Sequence, residues 1–143
     1  MVNNAGISSA EGPLLHLDTE GLRHQLEVNL VAVHNVTRAF APLLGANKRI
    51  IGGPGRIVNI SSVGGKNGGP FLGAYVASKH GLEGYSETLR RELILYGIDV
   101  IIVRLGSVRT ALWDKAEAKD TSAFDGTDLY GADRPGTVAP QQV

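Results

Sequence analysis

The sequence has no cysteine, so neither disulfide bonds nor thiolate metal ligation hold or arm this fold. It also lacks an excess of charge of either sign, with 14 basic and 14 acidic residues and no basic cluster to neutralise a phosphate backbone. Nucleic acid is therefore not an expected partner. No apolar run approaches the ~20 residues of a membrane helix, and no basic stretch followed by an apolar one opens the chain. A cytoplasmic protein without membrane contact is the expectation. His24 and His34 stand isolated, without ligand spacing, so no metal site is expected. What is present is 143 residues, 43% of them hydrophobic and 20% charged, a composition that suits one globular domain.

The most informative stretch is Ile57-Val58-Asn59-Ile60-Ser61-Ser62. An apolar run that ends in hydroxyls describes a parallel strand delivering side chains to the ligand-binding edge of an α/β sheet. Tyr75-Val-Ala-Ser-Lys79 opens a segment of helical periodicity, which puts the phenol and the ammonium one turn apart on one face. Strand-end hydroxyl, phenol and ammonium then converge. A phenol is a poor base at neutral pH, but a nearby cation favours the phenolate, and such a group can exchange a proton with a substrate oxygen that a serine holds.

These residues resemble the short-chain dehydrogenases/reductases, whose pattern is a serine followed thirteen residues later by Tyr-x-x-x-Lys, as Ser62 and Tyr75 are here. The resemblance implies Tyr75 as general acid/base, Lys79 as binder of the cofactor ribose and tuner of the tyrosine, and Ser62, beside Ser61, as holder of the substrate oxygen. It implies NAD or NADP as cofactor, with the choice between them not readable. The fold it implies is α/β, a partial Rossmann-like, doubly wound parallel sheet.

Earlier in the chain, Asn3-Asn4-Ala5-Gly6 reads by composition as an ordinary turn. By the resemblance it is the end of a strand whose asparagines tie the sheet together and whose Asn4, Ala5 and Gly6 lie near the cofactor. Asp18 or Thr19 can cap a helix, and Leu22, Leu26, Leu30, Val33, Val36 or Thr37, Phe40 and Leu44 recur as one long apolar stripe ending near Pro42. Asn29 lies on the apolar side of that stripe. Without context it is a buried, satisfied amide; by the resemblance it opens the helix locally, holds a proton-relaying water and joins the catalytic group. Gly45 to Gly55 reads as a surface excursion.

A second helix is expected from about Ala74 to Tyr96, with Ser78, Leu82, Tyr85, Leu89 and Leu93 on its buried stripe and Gly97 as its C-terminal cap. Gly81 and Gly84 suggest close packing against another helix, either the first one or that of another subunit. Ile98 to Val103 is apolar at all but Asp99, the mark of a strand covered on both faces. In the resemblance Gly106, Val108 and Thr110 meet the nicotinamide, although Leu105 stands where proline is usual. Phe71, Leu72, Leu112 and Trp113 suggest an apolar substrate pocket. Residues 1–114 are expected to form the catalytic half of the domain and 115–143 a flexible tail, since periodicity and apolar mass fade there.

No glycine-rich turn sits between a strand and a helix N-terminus, and Gly52-Gly53-Pro54-Gly55 precedes a strand instead. The resemblance therefore implies a chain truncated at its N-terminus, and at its C-terminus as well. Two functions follow from this. One is an oxidoreductase moving hydride between NAD(P) and a secondary alcohol or ketone with apolar flanks, these residues alone being inactive. The other is an inactive module that packs or dimerises through its two long helices, and a homo-oligomer is expected through them. An esterase with Ser62 as nucleophile lacks both a histidine base and a Gly-x-Ser-x-Gly elbow.

Overall fold

A computed structural model describes residues 1–9, 11–50 and 52–106. Val108, Thr110, Leu112, Trp113 and the segment 115–143 lie outside the described residues. Strands β1 (Val2–Asn3), β2 (Arg56–Ser62) and β3 (Asp99–Leu105) run parallel in the order β1-β2-β3. Parallel neighbours need crossovers, and right-handed crossovers between strands stepping in one direction put their helices on one face. Helices α1 (Thr19–Leu26) and α2 (Ala32–Phe40) make the first crossover, and α3 (Gly73–Leu93) makes the second. Both reach the same face, because Asn3 on β1 donates to Thr37 on α2 and Asn59 on β2 donates to Ser86 on α3. The expected α/β fold, part of a Rossmann-like parallel sheet, is present.

Strand alternation sets what each face carries. Ile57, Asn59 and Ser61 point toward the helices and are buried, whereas Val58, Ile60 and Ser62 between them are half-buried. Along the helix-facing side the chemistry changes from carbon to oxygen and nitrogen. At the N-terminal end of the strands Ile57, Leu93, Ile98 and Val100 form a closed apolar cluster with Met1, Leu44 and Leu89 against it. Midway, Asn3 Nδ2 donates to Asn59 Oδ1 at 2.8 Å, and Asn59 Nδ2 donates to Ser86 Oγ at 2.8 Å. The functional end of the sheet is thus packed through directional bonds.

The expectation that the last strand is covered on both faces is corrected. Val2, Val58 and Ile101 are aligned across the sheet on the face away from the helices, where Val2 is 62% and Ile101 38% exposed among the described residues. A run of consecutive apolar residues predicts that a strand can be covered twice, and it does not supply the second cover.

The first long helix is interrupted where Asn29 stands. Asp18 caps α1 by accepting from the Gly21 amide at 2.6 Å. Residues Glu27–Val31 then form a π turn, in which the Ala32 amide reaches back to the Glu27 carbonyl, before α2 begins. Pro42 lies in a 3₁₀ turn, Ala41–Leu44, ended by Gly45 at φ 114°. The second helix keeps its expected span, with a 3₁₀ turn over Ile94–Tyr96 and Gly97 at φ 70° as the cap. On its stripe Ser78, Leu82 and Leu93 are buried, and Tyr85 and Leu89 are half-buried. On the first stripe Val33 and Thr37 are buried, while Val36 and Phe40 are exposed.

Two glycines separate by their surroundings. A methyl on Gly65 would lie 2.8 Å from Ser61 Oγ, 2.9 Å from Glu83 Cγ and 3.1 Å from the Lys79 carbonyl, whereas one on Gly84 would meet nothing within 4 Å. Gly65→Ala should therefore cost about 1–3 kcal/mol by overpacking. Gly84→Ala, within α3 and unobstructed, should add up to ~1 kcal/mol. Urea unfolding of both variants checks this, and effects of the same sign would contradict the packing described.

Candidate active site

Helix α3 starts immediately beyond a strained residue. Phe71 sits at φ 65°, a backbone region that costs a bulky side chain about 1–3 kcal/mol, and its carbonyl accepts from the Gly12 amide at 2.8 Å. The contact joins the loop after β1 to the start of α3. Ala74, at the first turn, is fully buried, so the orientation of Tyr75 beside it is set by packing.

Tyr75 and Lys79 then occupy adjacent turns of one face, with Lys79 Nζ 5.8 Å from the tyrosine ring centroid. Lys79 is 6% exposed and donates to the Ile60 carbonyl at 2.9 Å. Burial pulls its ammonium below the usual lysine value. Ser62 ends β2 and accepts from the Gly64 amide at 3.1 Å, which turns the chain back across the tyrosine. A methyl on Gly64 would lie 3.3 Å from Tyr75 Cε1 and 3.5 Å from Ser62 Oγ, so glycine lets serine and phenol approach.

Asn29 is 1% exposed at the π turn. Its Nδ2 donates to the Ile7 carbonyl at 3.0 Å and to Ser78 Oγ at 2.9 Å, and its Oδ1 accepts from the Ile7 amide at 2.9 Å. Ser78 in turn donates to the Tyr75 carbonyl at 2.7 Å. Asn29 thereby links the loop after β1 to the turn of α3 between Tyr75 and Lys79. Gly6 lies beside both, because a methyl there would come 3.5 Å from Asn29 Oδ1 and 3.7 Å from Lys79 Nζ.

Of the residues expected at the site, Asn29, Ser62, Tyr75, Lys79 and Gly6 are brought together in this way. Asn4 and Ala5 are exposed on the same loop, and Gly106 is exposed directly after β3. Two contributors were not anticipated. Gln25, fully buried one turn before Asn29, accepts from the Ser9 amide at 3.0 Å and donates to the Ile7 carbonyl. Its one-turn spacing from Asn29 was the available signal. Glu83, one turn beyond Lys79, is 5% exposed and receives Arg104 through two bonds of 2.9 and 2.7 Å. Its position on the buried stripe next to Leu82 was the signal there.

Among the described residues no group of acidic or histidine side chains could hold a metal ion, and no helix is long and apolar enough to cross a membrane. The family model for short chain dehydrogenase matches residues 1–121. An NADPH-dependent 3-dehydrocapnine reductase of Ornithobacterium rhinotracheale is 41% identical over 118 residues, which cover 82% of this chain and 41% of the reductase. A 17-beta-hydroxysteroid dehydrogenase type 6 of Bos taurus is 42% identical over 115 residues, covering 80% of this chain and 34% of that enzyme. Among solved structures, an NAD+-bound xylitol dehydrogenase superposes with a TM-score of 0.72 at 27% identity, over 80% of this chain and 43% of the other. The chain spans 41% or less of the length of these curated relatives, and the matched part contains Ser62, Tyr75 and Lys79. By that match, the chain belongs to the short-chain dehydrogenase family.

Proposed function

We propose that these residues form the substrate side of an oxidoreductase site that moves hydride between NAD or NADP and a secondary alcohol or ketone with apolar flanks. The observation that carries this reading is the approach of Lys79 Nζ to the Tyr75 ring, with the Ser62–Gly64 turn against the ring edge. Tyr75 is the general acid/base. Ser62 Oγ already accepts from Gly64, so its own O–H remains to donate to the substrate oxygen. In the reductive direction the Tyr75 phenol gives its proton to that oxygen while Ser62 steadies the developing charge. Lys79, partly desolvated, keeps positive charge close to the phenol.

The residues fit a nicotinamide cofactor. Gly6 leaves open the space before Lys79 and Asn29 that a side chain would enter, and a dinucleotide ribose presents hydroxyls for which an ammonium is a suitable donor. Asn4, Ala5, Gly6, Tyr75, Lys79, Gly106, Val108 and Thr110 are the residues assigned to hold it. When bound, the cofactor supplies or accepts the hydride, and the protein supplies position and proton. Asn29 orders the loop carrying Gly6 through Ile7, and we assign it to the catalytic group on that basis. Phe71 and Leu72, just ahead of Tyr75 in the chain, supply the carbon for apolar flanks. One relative is named for a hydroxysteroid, which has such flanks, and one structural neighbour for xylitol, which does not.

A second reading, a packing module without catalysis, rests on the exposed Val36 and Phe40 of α2 and on Gly84, which faces open space on α3. In that reading the two long helices pair with those of another copy.

Three outcomes test this. In a version carrying a glycine-rich dinucleotide-binding half, Tyr75→Phe should lower turnover by about 10²–10⁴-fold with cofactor affinity nearly unchanged, whereas Lys79→Ala should damage both. Turnover of Tyr75→Phe within a few fold of the parent would remove Tyr75 from its role. The same version should prefer a steroid-like or aliphatic ketone to small keto acids and polyols, and the reverse preference would overturn the apolar assignment. Sedimentation of the 143-residue chain during titration with NAD and NADP should show self-association without micromolar binding. A folded monomer that binds either dinucleotide at micromolar strength would contradict both expectations.

A further inference from the structure

Beyond the residues that face the reaction, one buried carboxylate has no role in the chemistry above. Glu83 lies on α3 one turn past Lys79, at 5% exposure. Three segments meet it. Arg104, the penultimate residue of β3, donates Nε to Oε1 at 2.9 Å and Nη2 to Oε2 at 2.7 Å. Lys66, at the end of the turn after Ser62, places Nζ 3.6 Å from Oε2. Ser61, buried beside Ser62, makes no hydrogen bond of normal geometry and faces the same carboxylate across Gly65. A bidentate guanidinium on a carboxylate fixes direction as well as distance.

We propose that Glu83 is a positioning residue, fastening the Ser62–Lys66 turn and the exit of β3 to the helix that carries Tyr75 and Lys79. This rests on the oxidoreductase reading only in what it positions for. Ser62 is set by Gly64, and the turn containing Gly64 is tied to α3 through Lys66 and Glu83. The chain leaving Arg104 leads within two residues to Gly106, assigned to the cofactor. One carboxylate therefore holds the hydroxyl that grips substrate and the strand end beside the cofactor in register with the phenol. Its burial makes the tie stringent, because an unpaired charge there has no solvent to retreat to.

The groups facing Glu83 also determine how the tie responds to pH. Burial pushes its carboxyl up, but the hydrogen bonds and charge of Arg104, the facing Ser61 hydroxyl and the charge of Lys66 outweigh that and hold it below its ordinary value. On α3 itself, Lys79 is directed to the Ile60 carbonyl and Glu87 pairs with Arg90 and Arg91. A depressed carboxyl contributes fully above its unfolded value, about 4.3, and the contribution is lost as pH falls through the folded value.

Amide hydrogen exchange on the full chain tests the proposal, because local opening and global unfolding give different patterns. In Glu83→Gln, Gly64 and Lys66 should exchange at least ~10-fold faster, while Val58 and Ile7, bonded to Met1 and Asn29, stay within about twofold. Lys66→Met, at a largely exposed side chain, should give a smaller change in the same direction. In the parent, the protection of Gly64 relative to Val58 should fall on acidification below about pH 4, and in Glu83→Gln that ratio should be flat. If Glu83→Gln does not fold, Lys66→Met and the parent's acid profile decide. In a version with turnover, Glu83→Gln should lower kcat by about tenfold. Equal acceleration of all four amides, or an unchanged Gly64, would overturn the positioning role. Absence of hydride transfer in a version carrying a glycine-rich dinucleotide-binding half, with the local exchange pattern intact, would overturn the oxidoreductase reading instead.

Discussion

The contact between sheet and helices at the functional end depends on a few buried amides that have to find partners. Asn59 is fully buried between β1 and α3, and a buried amide left unsatisfied costs about 1–3 kcal/mol. It accepts from Asn3 and donates to Ser86, so strand-to-strand and strand-to-helix spacing are set by the same side chain. An aliphatic contact tolerates sliding, whereas a hydrogen bond does not. With Ser86 held to Asn59 and Ser78 held to Asn29, α3 has two fixed points, and Tyr75 and Lys79 lie at the end they determine.

Lys79 shows the cost that this arrangement sustains. Burying an ammonium is unfavourable, and the Ile60 carbonyl at 2.9 Å offsets only part of it. Position on a long helix anchored at its C-terminal end, through Leu93 against Ile57 and Val100, keeps the group in place. The apolar end of the sheet thus carries the stability, and the polar end carries the strain, seen also in the left-handed Phe71.

The parts legible in the sequence were those with a period or a spacing. Tyr75 and Lys79 share a helix face for any sequence that is helical there, Ser62 ends an apolar run, and Gly97 is a glycine at a helix end, so all were readable. Asn29 was singled out through resemblance, and its helix does open there, but the stripe alone suggested an unbroken helix. Which strand faces are covered was not legible, since an apolar run such as Ile101–Val103 has no alternation to tell one cover from two. Glu83 was missed for a similar reason. A charged residue on a stripe reads as solvated until its partners are known, and Arg104 lies on a different element.

The π turn has a geometric consequence for the whole first crossover. Gln25, Asn29, Val33 and Thr37 are all buried at a constant four-residue interval. In a regular α-helix each such step overshoots a full revolution by ~40°, so the last residue would be rotated by ~120° from the first. One residue's worth of extra chain in the π turn sets the phase back by ~100° and restores nearly all of it. The irregularity at Glu27–Val31 acts as a vernier: it lets Gln25 and Asn29 address the loop at Ile7 while Thr37 still meets Asn3. Shortening that turn by a residue would leave the helix more regular and its two ends facing different neighbours.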